Sequence, residues 1–353
     1  MNHLKKIASK LEEYGLDAML ITSEPGEFYA IGFHGEGVAL VTKTANYYFT
    51  DSRYIEACQN QVTDCAIAMP EGRSYKAEVA DLVVKHGIQK LGFEDQYMSV
   101  ADYNAWMDGV KAEFVPAGAL ITQLRAYKDQ EELERMVKAQ RISEQAFEEI
   151  LKFIKPGVTE KEIAAKLEYD MLRFGAEKMS FDPIVASGPN GSMPHAIPGE
   201  RKVQNGDFIT MDFGCKFGGY CSDMTRTVAL GEPSEEMKTV YATVLEAQLA
   251  GIAAAKAGAV GADVHEAARK VIADAGYGAY FGHGFGHSLG YEVHEEPRFS
   301  PSCKEVIGAG ATLSAEPGIY LPGKFGVRIE DVVILEENGC TDITKAPKEL
   351  IIL

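Results

Sequence analysis

Two apolar hairpin patterns in the C-terminal half of the chain each carry an acidic residue on both strands. The first reads FITMDFG, a glycine-containing turn, and YCSDMTRTVAL, with Asp212 and Asp223 inside the apolar runs. A turn centred on Phe217-Gly218 places these two carboxylates directly opposite each other, with Cβ atoms about 4.5–5.5 Å apart. Like charges at that distance destabilise a hairpin, so the pattern predicts a positive group between them.

The second hairpin repeats this arrangement. It reads TLSAEPGIYL and FGVRIEDVVIL on either side of Pro322-Gly323-Lys324. A turn at these three residues places Glu316 opposite Glu330. Two facing carboxylate pairs constrain the fold strongly, because both hairpins must bring their acids to a place where the charge is neutralised.

Protonation, basic side chains or metal ions would each neutralise such a cluster. Facing carboxylates can shift their pKa values far enough to stay protonated. Arg226 and Arg328 each lie near one pair, and Arg328 is two residues from Glu330 and so on the same face of the strand. Carboxylate oxygens equally suit Mn, Co, Zn or Fe(II), often as two bridged ions. Spacing alone leaves both a two-metal site and a structural ionic network open.

The stretch GHGFGHSLGYEVHEEP holds three of the eight histidines of the chain: His283, His287 and His294. Its glycines argue against a helix, so these are not a helical zinc-protease pair. They suit an extended backbone that passes close to another segment. One imidazole from this stretch would complete a ligand set of four carboxylates and one nitrogen. The other histidines would orient or protonate a substrate.

The remaining patterns predict two domains of the α/β (α+β) class, residues 1–124 and 125–353. Residues 1–120 alternate between strand patterns and amphipathic helices, which predicts a small sheet covered by helices. In the second domain a pair of helices precedes each hairpin. The expected helices are 128–154 and 159–174 before the first hairpin, and 234–257 and 261–275 before the second. This is an internal repeat of pattern rather than of residue identity.

Charge and composition exclude several functional classes. A formal net charge of −17 argues against a nucleic-acid partner, which needs clustered basic residues. No apolar run is long enough to cross a membrane, and the N-terminus lacks a secretory signal pattern. Six cysteines without a C-x-x-C pair are expected to be reduced thiols of a cytoplasmic protein rather than zinc ligands.

The motifs MDFG, SDMTRT, HGFGHSLGYEVHEEP, AEPGIY and RIED, in that order, resemble the metallopeptidases with the pita-bread fold. That family includes prolidase, aminopeptidase P and methionine aminopeptidase. FTDSRY and LRAYKDQEELERM resemble its proline-specific branch, so that the resemblance covers the whole chain. It implies a pita-bread catalytic domain, with a pseudo-twofold antiparallel sheet covered by helices, after a smaller creatinase/prolidase-type α/β domain. It also implies a homodimer that acts on short proline-containing peptides.

The resemblance further implies roles for individual residues. The dinuclear centre, with Mn as the first choice and Co, Zn or Fe as others, would be held by Asp212, Asp223, His287, Glu316 and Glu330. Within it, Asp223 and Glu330 would bridge the two ions. His195 and His294 match positions that contact substrate. His283 matches a further histidine at the rim, and Arg328 matches the arginine beside the last ligand.

The activity implied is hydrolysis of the Xaa-Pro bond by a hydroxide that two ions share. Glu316 would carry a proton toward the leaving amine, while His195 and His294 would stabilise the developing oxyanion. Arg298 either holds the C-terminal carboxylate of a dipeptide or is a solvated loop cation. The sequence is therefore compatible with both a dipeptidase and an aminopeptidase. Two alternatives are a metal-free homologue, acting as a creatinase-like hydrolase or binding module, and a methionine aminopeptidase.

Overall fold

The structure, a computed structural model, describes residues 2–353. Its chain divides into two compact units, one ending at Arg125 and one formed by Ala126–Leu353. The predicted boundary lies one residue from this division.

The first unit is a mixed six-stranded sheet with helices on both faces. The sheet order is β4-β3-β2-β1-β5-β6, with β1–β2 and β2–β3 antiparallel and the other pairs parallel. In chain order the elements are α1 Leu4–Lys10, β1 Ala18–Ile21, α2 Glu24–Ile31, β2 Val38–Thr42, β3 Asn46–Phe49, α3 Ile55–Gln61, β4 Ala66–Ala68, α4 Tyr75–His86, β5 Lys90–Phe93, α5 Val100–Gly109, β6 Glu113–Pro116 and α6 Gly118–Ala126.

Alternation along β1 explains why helices cover both faces of this sheet. Met19 and Ile21 pack in a core with α1, while Ala18 and Leu20 pack in another with α4. Successive strand residues point to opposite faces, so a strand buried on both sides needs a helical layer on each. The predicted sheet covered by helices is therefore confirmed.

The second unit consists of two repeats, each a helix pair followed by antiparallel strands. The first repeat comprises α7 Gln130–Phe153, α8 Glu160–Arg173, β7 Lys178–Met179, β8 Ile184–Ser187, β9 Asp207–Phe213, β10 Cys215–Phe217, β11 Tyr220–Cys221 and β12 Met224–Leu230. The second repeat comprises α9 Glu235–Ala254, α10 Gly261–Asp274, β13 Gly286–Ser288, β14 Glu295–Phe299, β15 Thr312–Ala315, β16 Gly318–Leu321, β17 Phe325–Arg328, β18 Asp331–Glu336 and β19 Gly339–Asp342. Short 3-10 helices occupy Gly188–Ser192 and Gly278–Tyr280. The predicted repeat and the pita-bread architecture are both present.

Each repeat has its own apolar core under its strands. Phe147 of α7 and Leu167 of α8 pack with Met211 of β9. Val244 of α9 and Ala268 of α10 pack in a separate core with strands of the second repeat. The ladders are β8-β9-β12 in the first repeat and β14-β13-β15-β18-β19 in the second. The helices therefore hold the strands from outside and leave the other strand faces for a shared site.

The hairpin registers test the predicted carboxylate pairing, which is correct in one hairpin and wrong in the other. In the second hairpin, Ala315 pairs with Asp331 and Gly318 with Arg328, which sets Glu316 opposite Glu330 as predicted. In the first hairpin Asp212 pairs with Thr225, not with Asp223.

The cause of the wrong register is the turn of the first hairpin. The reversal is made by Gly218-Gly219, one residue beyond the predicted centre, because both glycines take φ above zero, 57° and 81°. A two-residue turn with two left-handed positions matches the twist of the strands. The shift moves Asp223 by two residues relative to Asp212, and a shift of two keeps both on the same face.

Two further sequence expectations concern membranes and thiols. Among residues 2–353, no helix has both the length and the apolar character needed to cross a bilayer. The six cysteines are free, as predicted.

Candidate functional site

Acidic and imidazole groups from both repeats converge on one point. One ligand atom each from Asp223, His287 and Glu330 lies within 4.8 Å of the other two. Asp223 precedes β12, His287 is in β13, and Glu330 lies between β17 and β18. Asp223 and Glu330 are 3% and 1% exposed, so this is a buried cluster and not a solvated acidic surface.

Glu316 joins this cluster through His287. The Nε2 atom of His287 lies 3.3 Å from Oε1 of Glu316 and 3.7 Å from Oδ2 of Asp223. The other ring nitrogen, Nδ1, lies 3.1 Å from the carbonyl oxygen of Ser288, which can only accept a hydrogen bond. Nδ1 therefore carries a proton, and Nε2 faces the carboxylates. Ser314 donates to Glu316 at 3.0 Å and steadies it.

Asp212 completes the predicted set and is held by Arg328. The Nη2 group of Arg328 donates to Oδ2 of Asp212 at 2.6 Å. The other carboxylate oxygen, Oδ1, is buried and has no hydrogen-bond partner. A buried carboxylate oxygen without a partner is costly, which indicates that a further positive group belongs beside it.

Arg328 and Tyr320 form a hydrogen-bonded chain that leads away from Asp212. Arg328 also donates to Tyr320 Oη at 3.0 Å and to Thr225 Oγ1 at 3.1 Å. Tyr320 Oη lies 2.9 Å from Nε2 of His283, whose Nδ1 faces the carbonyl oxygen of Gly284. Nδ1 is thus the donor and Nε2 accepts from the tyrosine. Thr225 in turn donates to Glu330 at 2.7 Å, so one network connects both carboxylate pairs.

Burial and crowding of like charge dominate the electrostatics. Burial first, and then repulsion from Glu330 and Asp212, raises the pKa of Asp223 well above its ordinary value. Burial and repulsion from Glu316 and Asp212 raise the pKa of Glu330 in the same way.

Glu316 behaves differently from the other two acids. Burial, the largest influence, raises its pKa, but the hydrogen bond and charge of His287, with help from His283 and Arg328, lower it to about 2. Glu316 is therefore the carboxylate that stays ionised, while its neighbours resist a further negative charge. A site with two acids pushed toward protonation calls for added positive charge.

The residues fit divalent metal ions. Four hard carboxylate oxygens and one imidazole nitrogen are the donor set that Mn, Co, Zn and Fe(II) accept. The unpartnered Oδ1 of Asp212 and the mutual repulsion of Asp223 and Glu330 are two separate defects that cations would remove. Arg328 touches only Asp212 among these acids in its hydrogen bonds, so it leaves most of the charge uncompensated.

The glycines of the histidine-rich stretch allow the strands to approach. A Cβ atom on Gly286 would lie 1.9 Å from the carbonyl oxygen of Ser314, and one on Gly284 would lie 3.1 Å from that of Phe299. Only glycine at position 286 lets β13 lie against β15, and this contact places His287 at the cluster. The predicted close approach of an extended glycine-rich backbone is thus confirmed.

Two more predicted site residues, His294 and His195, stand at the exposed side of the cluster. The ring of His294 packs edge-on against His287, with ring centroids 4.4 Å apart. His195 lies on the loop after β8, directly after Pro194, whose carbonyl oxygen accepts from Arg328 at 3.2 Å. Both His294 and His195 are exposed, whereas His283 is half-buried. The structure therefore brings all the predicted histidines to one site.

Arg298 also lies beside this site. It pairs directly with His287 across the β13–β14 ladder, and cross-strand partners share a face. Its side chain is 46% exposed and donates to Glu296 at 2.9 Å. A half-exposed arginine on the ligand face, paired only with an exposed glutamate, can exchange that partner for an entering anion.

Sequence reasoning missed several residues that build the site. Tyr320, Thr225 and Ser314 orient the acids, yet nothing in their sequence pattern separates them from ordinary strand residues. Glu295, which sequence reasoning did not assign to the site, is 8% exposed and forms an ion pair with Lys128 at 3.0 Å. It also accepts from the Glu292 N–H at 3.1 Å. Its partner cation comes from a segment distant in the sequence.

Comparison with known proteins agrees with this geometry. Residues 134–337 match the model of metallopeptidase family M24, and residues 3–127 match the creatinase/prolidase N-terminal domain. An uncharacterized peptidase of Bacillus subtilis, YqhT, is 42% identical over 352 residues, 99% of each chain. A solved Xaa-Pro dipeptidase from Bacillus anthracis is 43% identical and superposes with a TM-score of 0.96 over 99% of both chains. An X-Pro aminopeptidase from Thermotoga maritima is 37% identical, with a TM-score of 0.93 over 98% of this chain and 100% of that one.

Proposed function

The chain belongs to metallopeptidase family M24, and we propose that it hydrolyses the Xaa-Pro bond at the N-terminus of short peptides. The observation that carries this proposal is the convergence of Asp223, His287 and Glu330 within 4.8 Å, with Asp212 and Glu316 alongside. The names of the solved relatives from Bacillus anthracis and Thermotoga maritima support proline-specific substrates.

The proposed resident group is a pair of divalent ions, Mn first. Its ligands would be Asp212, Asp223, His287, Glu316 and Glu330. When bound, two such ions lower the pKa of a water and polarise the scissile carbonyl. His287 is prepared for this role because its Nδ1–H donates to the Ser288 carbonyl oxygen and its Nε2 faces the acids.

Glu316 is the proposed proton carrier. His287 holds the pKa of Glu316 below its ordinary value, and an ionised carboxylate is the form that accepts a proton. The amine that leaves an Xaa-Pro bond comes from a tertiary amide, which has no N–H of its own and needs a proton to depart. Ser314 holds the carboxylate in place by a hydrogen bond of 3.0 Å.

His195 and His294 are the proposed substrate contacts. Both are exposed at the open side of the cluster, and His294 packs against His287. An imidazole N–H there donates to the carbonyl oxygen as negative charge develops on it. His283 is set one step further back, since its Nε2 accepts from Tyr320. Its proposed role is to hold Tyr320 and Arg328 in register with the ligand Asp212.

The position of Arg298 favours dipeptidase activity over aminopeptidase activity. It lies on the face that carries His287, and among residues 2–353 the hydrogen-bond partner of its side chain is the exposed Glu296. A free C-terminal carboxylate of an Xaa-Pro dipeptide would be held bidentately by this guanidinium. The Thermotoga maritima relative supports the aminopeptidase as the second candidate. The resemblance to the family also supports a cytoplasmic location and a homodimer. Sedimentation of the purified protein would test the homodimer.

The test is hydrolysis of Ala-Pro and Ala-Pro-Ala by Mn-loaded protein, with a chelated control. We expect faster cleavage of the dipeptide, and we expect Arg298→Met to lower kcat/KM for Ala-Pro about tenfold to hundredfold while changing the tripeptide little. Arg269→Met is the matched control, since Arg269 is equally exposed and pairs with Glu266 on α10. Preference for the tripeptide would favour the aminopeptidase, and no cleavage of either peptide would refute the proposed function.

A further inference from the structure

A buried carboxylate closes the base of the loop that carries His195. Glu160, the first residue of α8, has 0% exposure. Its Oε1 accepts from the Ser187 N–H and the Ser187 hydroxyl, both at 2.7 Å. Its Oε2 accepts from the Gly199 N–H at 3.1 Å. Residues 187–199, here called the His195 loop, therefore start and end on the two oxygens of one side chain.

A third contact reaches from the same carboxylate into the loop. The side-chain amide of Asn190 donates to both oxygens of Glu160, at 3.0 and 3.1 Å. Every hydrogen bond to the side-chain oxygens of Glu160 comes from a donor, so the site needs an ionised carboxylate, which has no proton to give. A glutamine there would turn an N–H₂ group toward at least one of these donors. The loop base is thus built for a negative charge.

Arg201 is a charged neighbour of the Glu160 carboxylate, reached through Ser187. It donates to the Ser187 hydroxyl at 2.6 Å and forms a two-pronged pair with Asp207. Arg201 is therefore neutralised by Asp207 and is shared with Glu160 only through Ser187. The hydrogen bonds to the carboxylate of Glu160 come from residues of the His195 loop.

The far side of the loop is tied to the metal-ligand network. The carbonyl oxygen of Pro194 accepts from Nη1 of Arg328 at 3.2 Å, and Arg328 also holds Asp212. Gly191 lies against Gly326, where a Cβ atom on Gly326 would be 1.9 Å from the Gly191 carbonyl oxygen. His195 follows Pro194 directly. Its position therefore depends on Arg328 on one side and on Glu160 on the other.

We infer that Glu160 is a positioning residue, which fixes His195 against the substrate by fastening both ends of its loop. This inference rests on the proposed function, in which His195 contacts the substrate. A purely structural role for Glu160 would weaken the fold as a whole. A positioning role acts through His195 alone, and that difference can be measured.

The experiment compares Glu160→Gln with Glu162→Gln. Glu162 lies two residues further along α8, is exposed, and accepts from Thr159 in the helix-capping box without touching the loop. Amide hydrogen exchange is measured on metal-free protein in a peptide spanning the loop. Because Glu160 accepts charge-assisted bonds from the loop amides, E160Q should speed exchange at Gly199 about tenfold or more, and E162Q should leave it unchanged.

Activity then separates positioning from stability. With Mn-loaded enzyme and Ala-Pro, E160Q should lower kcat/KM about tenfold to hundredfold. In a His195→Ala background the same substitution should cause no further loss, because the two residues act as one unit. Asn190→Ala, which removes the contact within the loop and leaves Glu160 satisfied by Ser187 and Gly199, should shift exchange and kcat/KM in the same direction by less. That variant decides the question if E160Q does not fold.

Two results would overturn the inference: equal exchange at Gly199 in E160Q and E162Q, or an equal E160Q effect with and without His195. A wild-type enzyme that cleaves neither peptide would instead refute the proposed function. In that event the exchange measurement, made without metal or substrate, still decides whether Glu160 fastens the loop.

Discussion

Arg328 donates to one oxygen of Asp212 at 2.6 Å and leaves the other buried and unpartnered. The arginine is 3% exposed and is held on its remaining sides by Tyr320, Thr225 and the carbonyl oxygen of Pro194. Arg328 therefore fixes the orientation of Asp212 through Oδ2, and Oδ1 stays available as a metal ligand. This division of one carboxylate between a fixed cation and an open position underlies the first two predictions.

Arg328→Met should destabilise the metal-free protein by about 3–5 kcal/mol, because it leaves Asp212 buried without its partner. Arg328→Lys should cost less, since it keeps the charge but loses the fork that reaches Asp212, Tyr320 and Thr225 together. Urea unfolding in the presence of chelator measures both. Arg298→Met, at an exposed arginine, is the control and should stay within about 0.5 kcal/mol of wild type. Equal stability of R328M and wild type would contradict the buried pair.

Removal of divalent metal should lower the unfolding temperature, and its return should raise it. At a hundredfold excess of ion over Kd, the expected gain is about 2.7 kcal/mol. Asp223→Asn should abolish most of this gain. Asp331→Asn is the matched control: Asp331 follows Glu330 in the sequence but faces Arg226 and Lys348, so its variant should be less stable yet keep the metal-dependent shift. An undiminished shift in D223N would show that the ions bind elsewhere.

Acid should destabilise the fold through His265. The Phe285 N–H donates to its Nδ1 at 3.1 Å, which needs the unprotonated ring. Burial, the largest influence, lowers the pKa of His265 below its ordinary value of 6.5. Between the folded pKa and 6.5 the unfolded chain binds a proton that the folded chain does not. The stability is thus complete above pH 6.5 and is lost as the pH falls through that window.

The check for His265 is the free energy of unfolding between pH 7.5 and 5. His265→Asn keeps an acceptor oxygen near the position of Nδ1 and cannot titrate, so its curve should be flatter than that of wild type. One group contributes at most about 1.4 kcal/mol per pH unit. Parallel curves for H265N and wild type would rule out His265 as the source.

Lys128 and Glu295 form the most deeply buried lysine–carboxylate pair near the site, with side chains 1% and 5% exposed. Lys128→Met should cost about 3–5 kcal/mol, because Glu295 would stay buried without the opposite charge of the lysine. Adding Glu295→Gln should recover a large part of that loss. Denaturant unfolding of both single variants and the double variant completes the cycle. Additive losses would mean that the two side chains do not interact.

The sequence predicted the repeat of helix pair and hairpin correctly, but it predicted the register of only one of the two hairpins. The repeat of helix pair and hairpin was readable because amphipathic periodicity and turn residues are local signals. The register of the second hairpin was readable for the same reason, since Pro322-Gly323-Lys324 marks its turn. In the first hairpin the turn could be centred on Phe217-Gly218 or on Gly218-Gly219. The structure uses Gly218-Gly219, because two glycines in a row allow two successive left-handed positions.

What sequence reasoning missed are the residues whose partners are far away in the chain. Glu160 has the pattern of an ordinary helix start and Lys128 that of a surface lysine before a helix. Their burial follows only from docking against Ser187 and Glu295. No local pattern separates a buried charge with a distant partner from a solvated one. Such residues become visible only when tertiary contacts are known.

The two repeats divide the proposed ligands between them: Asp212 and Asp223 come from the first, and His287, Glu316 and Glu330 from the second. Neither repeat alone assembles the nitrogen and the carboxylates at one point. High affinity for an ion therefore requires that the two repeats are packed together, and the free energy of ion binding stabilises that packing. An ion bound at this point would therefore connect the two pseudo-twofold related repeats directly. Ion binding at the catalytic centre would then require that the two repeats have packed against each other correctly.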